Sequence, residues 1–148
     1  MEKMALPKGV KVIETGIGGM AIVQELQGGY DALVVVDCVD LGRPPGRVMM
    51  IVPEVIDVYA ISLEERMDLL ADIHLAKPER VFMLSKALGV LPEETVMVGF
   101  QPFDAETPGI PMSEGATQAI DVAVAEILRH IEELQAKDKA AKTEAGKP

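Results

Sequence analysis

The side chains of this sequence best suited to chemistry are an aspartate and a histidine that lie far apart. Asp37 follows an apolar run, residues 32–36, typical of a strand buried on both faces, so its carboxylate is expected at the rim of a sheet. His74 lies in a break between two helical patterns. A carboxylate and an imidazole suit a divalent ion such as Ni²⁺ or Zn²⁺. Two such distant ligands form no motif, so a loop-capping Asp37 and an exposed loop His74 stay open.

A glycine-rich segment, residues 14–19, follows a short predicted strand and precedes a predicted helix. A dinucleotide-binding loop has this context, and Asp37 lies about 20 residues further on, where an acidic ribose ligand would be. The spacing is G-x-G-G, however, and no third glycine stands at the required offset. The simpler interpretation is a tight turn in which Gly16, Gly18 and Gly19 supply backbone freedom, including a positive φ.

The single cysteine, Cys38, directly follows Asp37. A neighbouring carboxylate raises the pKa of a thiol, so Cys38 is a poor nucleophile and is predicted to be a buried structural residue. One cysteine excludes an intrachain disulfide and a four-cysteine metal site within one chain. No G-x-S-x-G segment occurs, which excludes a serine nucleophile elbow. The sequence motifs therefore do not identify the catalytic residues, which stay unknown.

Composition and charge limit the classes of partner. The chain has 148 residues, enough for one domain, and a formal net charge of −10. Such a charge repels nucleic acid and anionic membranes. Hydrophobic residues make up 49% and aromatic residues 3%, so the core is expected to be aliphatic. We find no basic and apolar leader and no uncharged apolar run of about 18 residues, so the expected compartment is the cytoplasm.

The hydrophobic periodicity predicts strands that alternate with helices. Strands are predicted for residues 10–13, 32–36, 47–52 and 95–100, helices for residues 20–26, 78–89 and 113–134, and a capping box for residues 62–65. This alternation predicts an α/β fold, a doubly wound, mostly parallel twisted sheet with helices on both faces. Residues 136–148 are predicted to be a disordered or frayed tail after a domain of residues 1–135. In such sheets ligand-binding and catalytic residues lie just beyond the carboxyl ends of the strands. This rule selects three candidate site segments: residues 14–19, residues 37–40 and the residues from 101 onward.

Four segments, in this order and spacing, carry a family resemblance. They are residues 9–20 (GVKVIETGIGGM), residues 30–46 (YDALVVVDCVDLGRPPG), residues 74–89 with His74 at a helix start, and residues 91–102 (LPEETVMVGFQP). Together they resemble the hydrogenase maturation proteases, endopeptidases that trim the C-terminal extension from the large subunit of nickel–iron hydrogenases. The resemblance covers roughly residues 6–134.

The resemblance implies a metal site that serves recognition. By it, Asp37 and His74 are two of the nickel-binding residues, and the nickel is carried by the substrate rather than resident in the protease. It also implies that Gly16, Gly18 and Gly19 contact the substrate, which is the precursor of a hydrogenase large subunit. The implied activity is removal of the C-terminal extension from that nickel-loaded subunit.

The sequence departs from the family pattern in several places. The family opens with a strand, a G-x-G-N-x-x-x-x-D-[DE] loop with a third metal carboxylate, and a helix, and this sequence shows none of them. Lys77 stands where the family usually has glycine, and Pro78 follows it. We expect Glu14 to supply a substitute carboxylate. The alternative function is a non-catalytic module that binds a hydrogenase subunit or an assembly factor.

These departures lead to two structural predictions. With the first strand of the fold missing, edge groups of the sheet stay unpaired. Either the protein starts further upstream, or another chain such as a second copy covers the gap, or the sheet rearranges. Asp37, His74 and Glu14 are expected to line one cleft at the carboxyl edge of the sheet, close enough for a divalent ion to bridge the first two. Cys38 is expected to point the other way, into a helical layer.

Overall fold

The computed structural model describes residues 5–16, 18–71, 77–104, 107, 109 and 111–145. Its elements in chain order are α1 (Gly19–Leu26), β1 (Ala32–Cys38), β2 (Val48–Ile51), a 3₁₀ turn (Val58–Ala60), α2 (Leu63–Ala71), α3 (Pro78–Ala87), β3 (Glu94–Phe100) and α4 (Glu114–Ala145). They fall into two compact units, Met1–Asp31 with Glu54–Pro92 and Ala32–Pro53 with Glu93–Pro148. The first unit therefore contains α1 to α3, and the second contains the three strands and α4.

The second unit is a three-stranded sheet with one long helix. β3 is its middle strand, in the order β1-β3-β2. β1 runs parallel to β3, from Ala32 opposite Glu94 to Cys38 opposite Phe100. β2 is antiparallel to β3, and α4 packs on both β3 and β2. The predicted α/β fold is confirmed, and the longer of the two strand pairings is parallel.

The buried strand of the sheet is β3 rather than β1. Residues 95–99 of β3 are all buried, and Val98 is 0% exposed. β1 is only partly buried at first and is exposed from Val36, which is 57% exposed, to Cys38. The prediction that β1 is buried on both faces is therefore wrong. Within the described residues β1 has a neighbouring strand on one side only, whereas β3 has one on each side.

The first unit is built on α1 and α3, which pack against each other. Their buried apolar residues are Val23 and Leu26 on α1 and Val81 and Phe82 on α3. Pro78 stands in the first turn of α3, where its missing N–H leaves no hydrogen bond unmade. Both predicted helices are confirmed, although α3 ends at Ala87.

Helix α2 begins at the predicted capping box. The Ser62 hydroxyl accepts the Glu65 N–H at 3.2 Å, and the Glu65 carboxylate accepts the Ser62 N–H at 2.8 Å. Two N–H groups that the first turn would otherwise leave unpaired are thereby satisfied. In the same turn Arg66 donates to the Ile61 carbonyl at 3.1 Å and lies 5.6 Å from the centre of the Tyr59 ring, which ties the 3₁₀ turn to the helix.

Residues 10–13 form no strand in the structure, so that prediction is wrong. They pair with no strand among the described residues, and Val12 and Ile13 are 69% and 41% exposed. A β-branched run forms a strand only where a neighbouring strand completes its hydrogen bonds. The segment is instead tied to α1 by Lys11, whose ammonium bonds to the Glu25 carboxylate.

Helix α4 is longer than the pattern predicts. It runs to Ala145, so the chain is helical through much of the segment predicted to be a disordered or frayed tail. On its surface Arg129 pairs with Glu126 and Glu133, each at 2.6 Å. The domain boundary at residue 135 remains a prediction. No helix in the described part of the chain is long and apolar enough to cross a bilayer.

Candidate functional site

Asp37 lies at the carboxyl end of β1, where the sequence predicts it. It stands opposite Gly99 in the parallel register, and its side chain is exposed. One carboxylate oxygen, Oδ1, accepts the backbone N–H of Cys38 at 2.8 Å. Among the described residues no other group bonds to this carboxylate, so one of its oxygens is available to a ligand at an edge of the sheet where ligands commonly bind.

Cys38 is exposed, so the prediction of a cysteine buried in a helical layer is wrong. It is the last residue of β1, which other strands cover on one side only in the described structure. Partial desolvation and the Asp37 carboxylate both raise the pKa of the thiol. A thiol that stays protonated is a weak nucleophile, so the surroundings of Cys38 do not favour a nucleophilic role.

The carboxyl end of β3 carries Gln101, whose position the strand pattern selected but to which no motif gave a role. Gln101 directly follows the strand and is only 6% exposed. Its side-chain oxygen accepts the N–H groups of Leu41 at 2.9 Å and Arg43 at 3.2 Å, and its side-chain nitrogen donates to Asp40 at 2.9 Å. A buried carboxamide with such bonds is a strong structural constraint. The partners of Gln101 lie about 60 residues away, so no local pattern indicates these bonds. Its position directly after a strand was the signal that the sequence offered.

Asp40 is the acidic member of this network. Its Oδ1 accepts the bond from Gln101 and also the N–H of Gly42 at 3.0 Å. The Gln101 bond first, and the Gly42 bond second, hold the pKa of the Asp40 carboxyl below its ordinary value of 3.8 despite some desolvation. Asp40 is therefore ionised at neutral pH and acts as a fixed hydrogen-bond acceptor rather than as a proton donor.

Phe103 packs the same loop against the start of α4. Its ring lies against Gly46 and Gly115, where an added Cβ would come within 2.8 Å and 2.6 Å of the ring carbon Cζ. The ring of Phe100 lies 6.5 Å away, measured between centroids. Gly46 also has a φ of +81°, which favours glycine. Both glycines are therefore required for this close contact.

The glycine turn, described at residues 14–16, 18 and 19, leads into α1. Gly16 has a φ of +55°, the Gly18 N–H donates to the Thr15 carbonyl at 3.2 Å, and the helix begins at Gly19. The predicted positive φ is confirmed at Gly16. Gly18 caps the helix without a side-chain bond, so the groups that the turn can present to a ligand are mainly backbone groups. Contact of its glycines with a substrate or a nucleotide remains a prediction.

A polar cluster ties the segment before this turn to α1. The Glu25 carboxylate accepts hydrogen bonds from the Lys11 ammonium and the Tyr30 hydroxyl. These bonds, that from Lys11 first, lower the pKa of Glu25. The bonds to Glu25 raise the pKa of Lys11 and the pKa of Tyr30. Solvent screens the three groups, so the cluster holds the local structure weakly.

The predicted metal ligands, Asp37, His74 and Glu14, remain a prediction. His74 lies outside the described residues, while Glu14 is an exposed residue of the first unit and Asp37 belongs to the second. Within the part of the chain that the structure describes, no group of three or more His, Cys, Asp or Glu side chains is arranged to hold a metal ion. The ligand set therefore has to be tested by experiment.

Known proteins resemble this chain over most of its length. The family model described as hydrogenase maturation protease (HycI) matches residues 1–130. The hydrogenase expression/formation protein HupD of Rhodobacter capsulatus is 28% identical over 130 residues, which cover 88% of this chain and 59% of that protein. The hydrogenase expression/formation protein HupM of Azotobacter chroococcum mcd 1 is 30% identical over 132 residues, which cover 89% of this chain and 60% of that protein.

A solved structure has a similar architecture. The crystal structure of hydrogenase 2 maturation peptidase from Thaumarchaeota archaeon SCGC_AB-539-E09 matches with a TM-score of 0.57 and 28% sequence identity. The match covers 87% of this chain and 80% of that one. By contrast, this chain spans about three fifths of the length of the curated relatives it matches, 59% and 60%.

Proposed function

Because the chain belongs to the hydrogenase maturation protease family, we propose that it is an endopeptidase that removes the C-terminal extension of a nickel-loaded hydrogenase large subunit. The observation that carries this proposal is the family match over residues 1–130. The exposed position of Asp37 at the carboxyl end of a parallel strand supports it. The reaction is a hydrolysis, in which water adds across one peptide bond and yields a new carboxylate and a new amine.

In this proposal the nickel is part of the substrate and is recognised by side chains of the protease. Asp37 has a carboxylate oxygen that makes no bond among the described residues and can turn to a metal ion. His74 would add an imidazole and Glu14 a second carboxylate, and these donors suit Ni²⁺. Recognition of the metal would restrict cleavage to subunits that are already loaded.

The glycine turn is proposed to contact the backbone of the large-subunit precursor. Gly16 is exposed and Gly18 is half-buried, and neither carries a side chain beyond hydrogen, so a second backbone can approach them closely. Gly19 is buried, so its contact with the precursor would need the turn to open. The first N–H groups of a helix have no partner within it and can donate to substrate carbonyls. The precursor would thus be bound through its metal and its backbone.

Processing of a nickel-loaded precursor tests the proposal. The 148-residue chain should produce the mass loss of a C-terminal peptide, whereas nickel-free precursor should stay intact. Asp37→Asn should slow processing at least about tenfold, because even indirect partners of a metal are worth about 10- to 100-fold. Asp31→Asn changes an exposed aspartate before the same strand and should process normally. Intact loaded precursor, or equal slowing in both variants, would contradict the proposal.

A second candidate function is binding without cleavage. It is favoured by a departure inside the matched region, where Lys77 stands in place of the usual glycine of the family and Pro78 follows it. Such a module would still bind a hydrogenase subunit or an assembly factor. Co-purification of the loaded precursor at unchanged mass would support this function, and processing by the wild-type chain would exclude it.

A further inference from the structure

One loop of the second unit is held at both ends by the same buried residue. This loop, residues 40–47, begins two residues after the end of β1 and is termed the arginine loop because it carries Arg43 and Arg47. The residue that holds the loop is Gln101, which is only 6% exposed and lies at the end of the neighbouring strand β3. A buried amide whose polar atoms are satisfied by one loop constrains that loop to one arrangement.

Gln101 bonds to both ends of the arginine loop. Its side chain accepts the N–H groups of Leu41 and Arg43 at the first end. Its backbone N–H donates to the Arg47 carbonyl at 2.9 Å, and its carbonyl accepts the Gly46 N–H at 2.9 Å, at the second end. Two consecutive prolines lie between these anchors and fix their own φ angles. The backbone that carries both arginines is therefore rigid.

The two loop arginines differ from the other arginines of the chain. Within the described residues the guanidinium groups of Arg43 and Arg47, both exposed, form no hydrogen bond or ion pair. Arg66 donates to a backbone carbonyl, Arg129 pairs with two glutamates, and Arg80 also has an interaction partner. The chain has 24 acidic against 14 basic side chains, so acidic partners are plentiful, yet no acidic side chain among the described residues pairs with these two cations.

Unpaired cations on a rigid backbone are prearranged for an external partner. Because the loop is already ordered, binding to it has little conformational entropy to overcome. An arginine guanidinium binds a carboxylate through two parallel hydrogen bonds. Two apolar side chains of the same unit, Leu41 and Phe103, are also 53% and 47% exposed. Arginine together with exposed apolar and aromatic groups is typical of protein–protein interfaces.

We propose that the arginine loop is a docking surface for an acidic peptide segment of the protein substrate, whose carboxylates are bound by Arg43 and Arg47. Gln101 is the positioning residue of this surface, since it holds the backbone of both arginines without touching the substrate. The identity of the partner as the hydrogenase precursor rests on the proposed function, whereas its acidic chemistry rests on the loop.

Phosphate groups would also suit two arginines. An extended polyanion such as nucleic acid, or an anionic membrane, approaches the whole protein, however, and a net charge of −10 repels it. A short acidic peptide meets mainly the charge of the loop, within about 10 Å at ordinary salt, and there Arg43 and Arg47 outnumber the ionised Asp40. The observations therefore favour an acidic peptide over a nucleic acid or an anionic membrane.

Binding, measured separately from cleavage, tests the docking surface. The probes are the nickel-loaded precursor and a fluorescent oligoglutamate peptide, each titrated against the full chain at low and at physiological salt. The double variant R43E/R47E should weaken both interactions about 10- to 100-fold, because like charges then face each other. The double variant K137E/K139E makes the same charge change on exposed residues of α4 and should alter binding less than about twofold.

The role of Gln101 is tested with both loop arginines in place. Gln101→Leu should weaken oligoglutamate binding about 5- to 10-fold, since it removes the side-chain bonds that fix the first end of the loop, where Arg43 lies. The reciprocal double variant Asp40→Asn/Gln101→Glu keeps the net charge and restores a hydrogen bond between the two side chains, with the donor exchanged. It should bind within about twofold of wild type. Weak binding by this variant, when it unfolds at the wild-type urea concentration, would overturn the positioning role.

The remaining outcomes separate the docking surface from the proposed function. Unchanged binding by R43E/R47E, or no binding of either probe by the wild-type chain, overturns the docking surface, while cleavage of the precursor would still support the peptidase. Precursor that binds through the loop but keeps its mass supports the docking surface and contradicts the peptidase. Stronger binding of a single-stranded oligonucleotide or of anionic vesicles than of oligoglutamate would overturn the acidic-peptide partner.

Discussion

The arginine loop and the glycine turn both lie next to a regular element, but different bonds hold them. The arginine loop follows β1 and is fixed by the buried side chain of Gln101, with the ring of Phe103 packed on Gly46. The glycine turn precedes α1 and is closed by backbone bonds, with no side-chain cap at Gly18. Each contains a glycine with positive φ, Gly46 at +81° and Gly16 at +55°.

This difference indicates different uses of the two segments. A loop bonded to a buried side chain keeps one conformation and can present charged groups at fixed positions. A turn held by backbone bonds leaves its backbone accessible, and its local opening costs little free energy. A preformed binding surface is therefore expected in the arginine loop, and adjustment to a bound backbone is expected in the glycine turn.

Among the variants that test this comparison, Gln101→Leu is expected to have the largest effect on the free energy of unfolding. The substitution removes three side-chain hydrogen bonds and should lower the free energy of unfolding by about 3 kcal/mol, at about 1 kcal/mol for each bond. Urea unfolding at neutral pH measures the loss. Gln24→Leu, at an exposed position of α1, is the control and should change stability by less than about 0.5 kcal/mol. A loss below about 1 kcal/mol for Gln101→Leu would mean that the buried amide does not hold the loop.

A matched pair of glycine substitutions compares the two segments directly. Gly16→Ala should lower the free energy of unfolding by about 1 kcal/mol, from positive φ alone, because nothing lies within 4 Å of the added Cβ. Gly46→Ala should cost about 2 kcal/mol or more, because its Cβ also meets the Phe103 ring at 2.8 Å. The excess should disappear in a Phe103→Ala background. Equal losses for the two single variants would show that the ring does not restrain the loop.

Local patterns predict the features whose causes lie within a few residues. The apolar runs predict β1 and β3, and the spacing of Ser62 and Glu65 predicts the start of α2. The place of Asp37 at the carboxyl end of β1 follows from the same strand prediction and is confirmed. The positive φ at Gly16 also needs only the glycine-rich turn around it.

Features that depend on distant residues could not be predicted in the same way. The side-chain bonds of Gln101 join positions 58 to 61 residues apart, and no local pattern encodes them. Residues 10–13 have the composition of a strand, but a strand also needs a partner. The greater burial of β3 than of β1 follows from strand order, which hydrophobicity alone does not determine. The joint position of Asp37, His74 and Glu14 stays a prediction.

A smaller effect is expected at the start of α2, which has the side-chain cap that α1 lacks. Ser62→Ala removes the acceptor of the Glu65 N–H and should lower the free energy of unfolding by about 1 kcal/mol. Ser62→Gly should cost only a few tenths of a kcal/mol, because glycine is an adequate cap, as it is at Gly18. Urea unfolding of both variants measures the two losses of free energy. A larger loss for glycine than for alanine would contradict the comparison of the two helix starts.

The smallest expected effect is a pH dependence of the cluster beside the glycine turn. The bonds from Lys11 and Tyr30 lower the pKa of Glu25 below 4.5, so their contribution to stability is present above pH 4.5 and is lost as pH falls through the lowered pKa. The bonds to Glu25 raise the pKa of Lys11 above 10.5 and that of Tyr30 above 10.0. That contribution is therefore present below these values and is lost as pH rises through the raised pKa values.

Glu25→Gln tests this pH dependence by comparison with wild type. The difference between their urea midpoints should be small, because solvent screens exposed ion pairs, and constant from about pH 6 to about pH 9. It should shrink on acidification below pH 4.5, as the Glu25 carboxylate is protonated, and again above pH 10.0, as the Tyr30 hydroxyl and the Lys11 ammonium lose the protons that they donate. Glu132→Gln, at an exposed position on α4, should show no such pattern. A midpoint difference that grows on acidification would mean that the cluster does not stabilise the segment before the glycine turn, which would then depend on backbone bonds throughout.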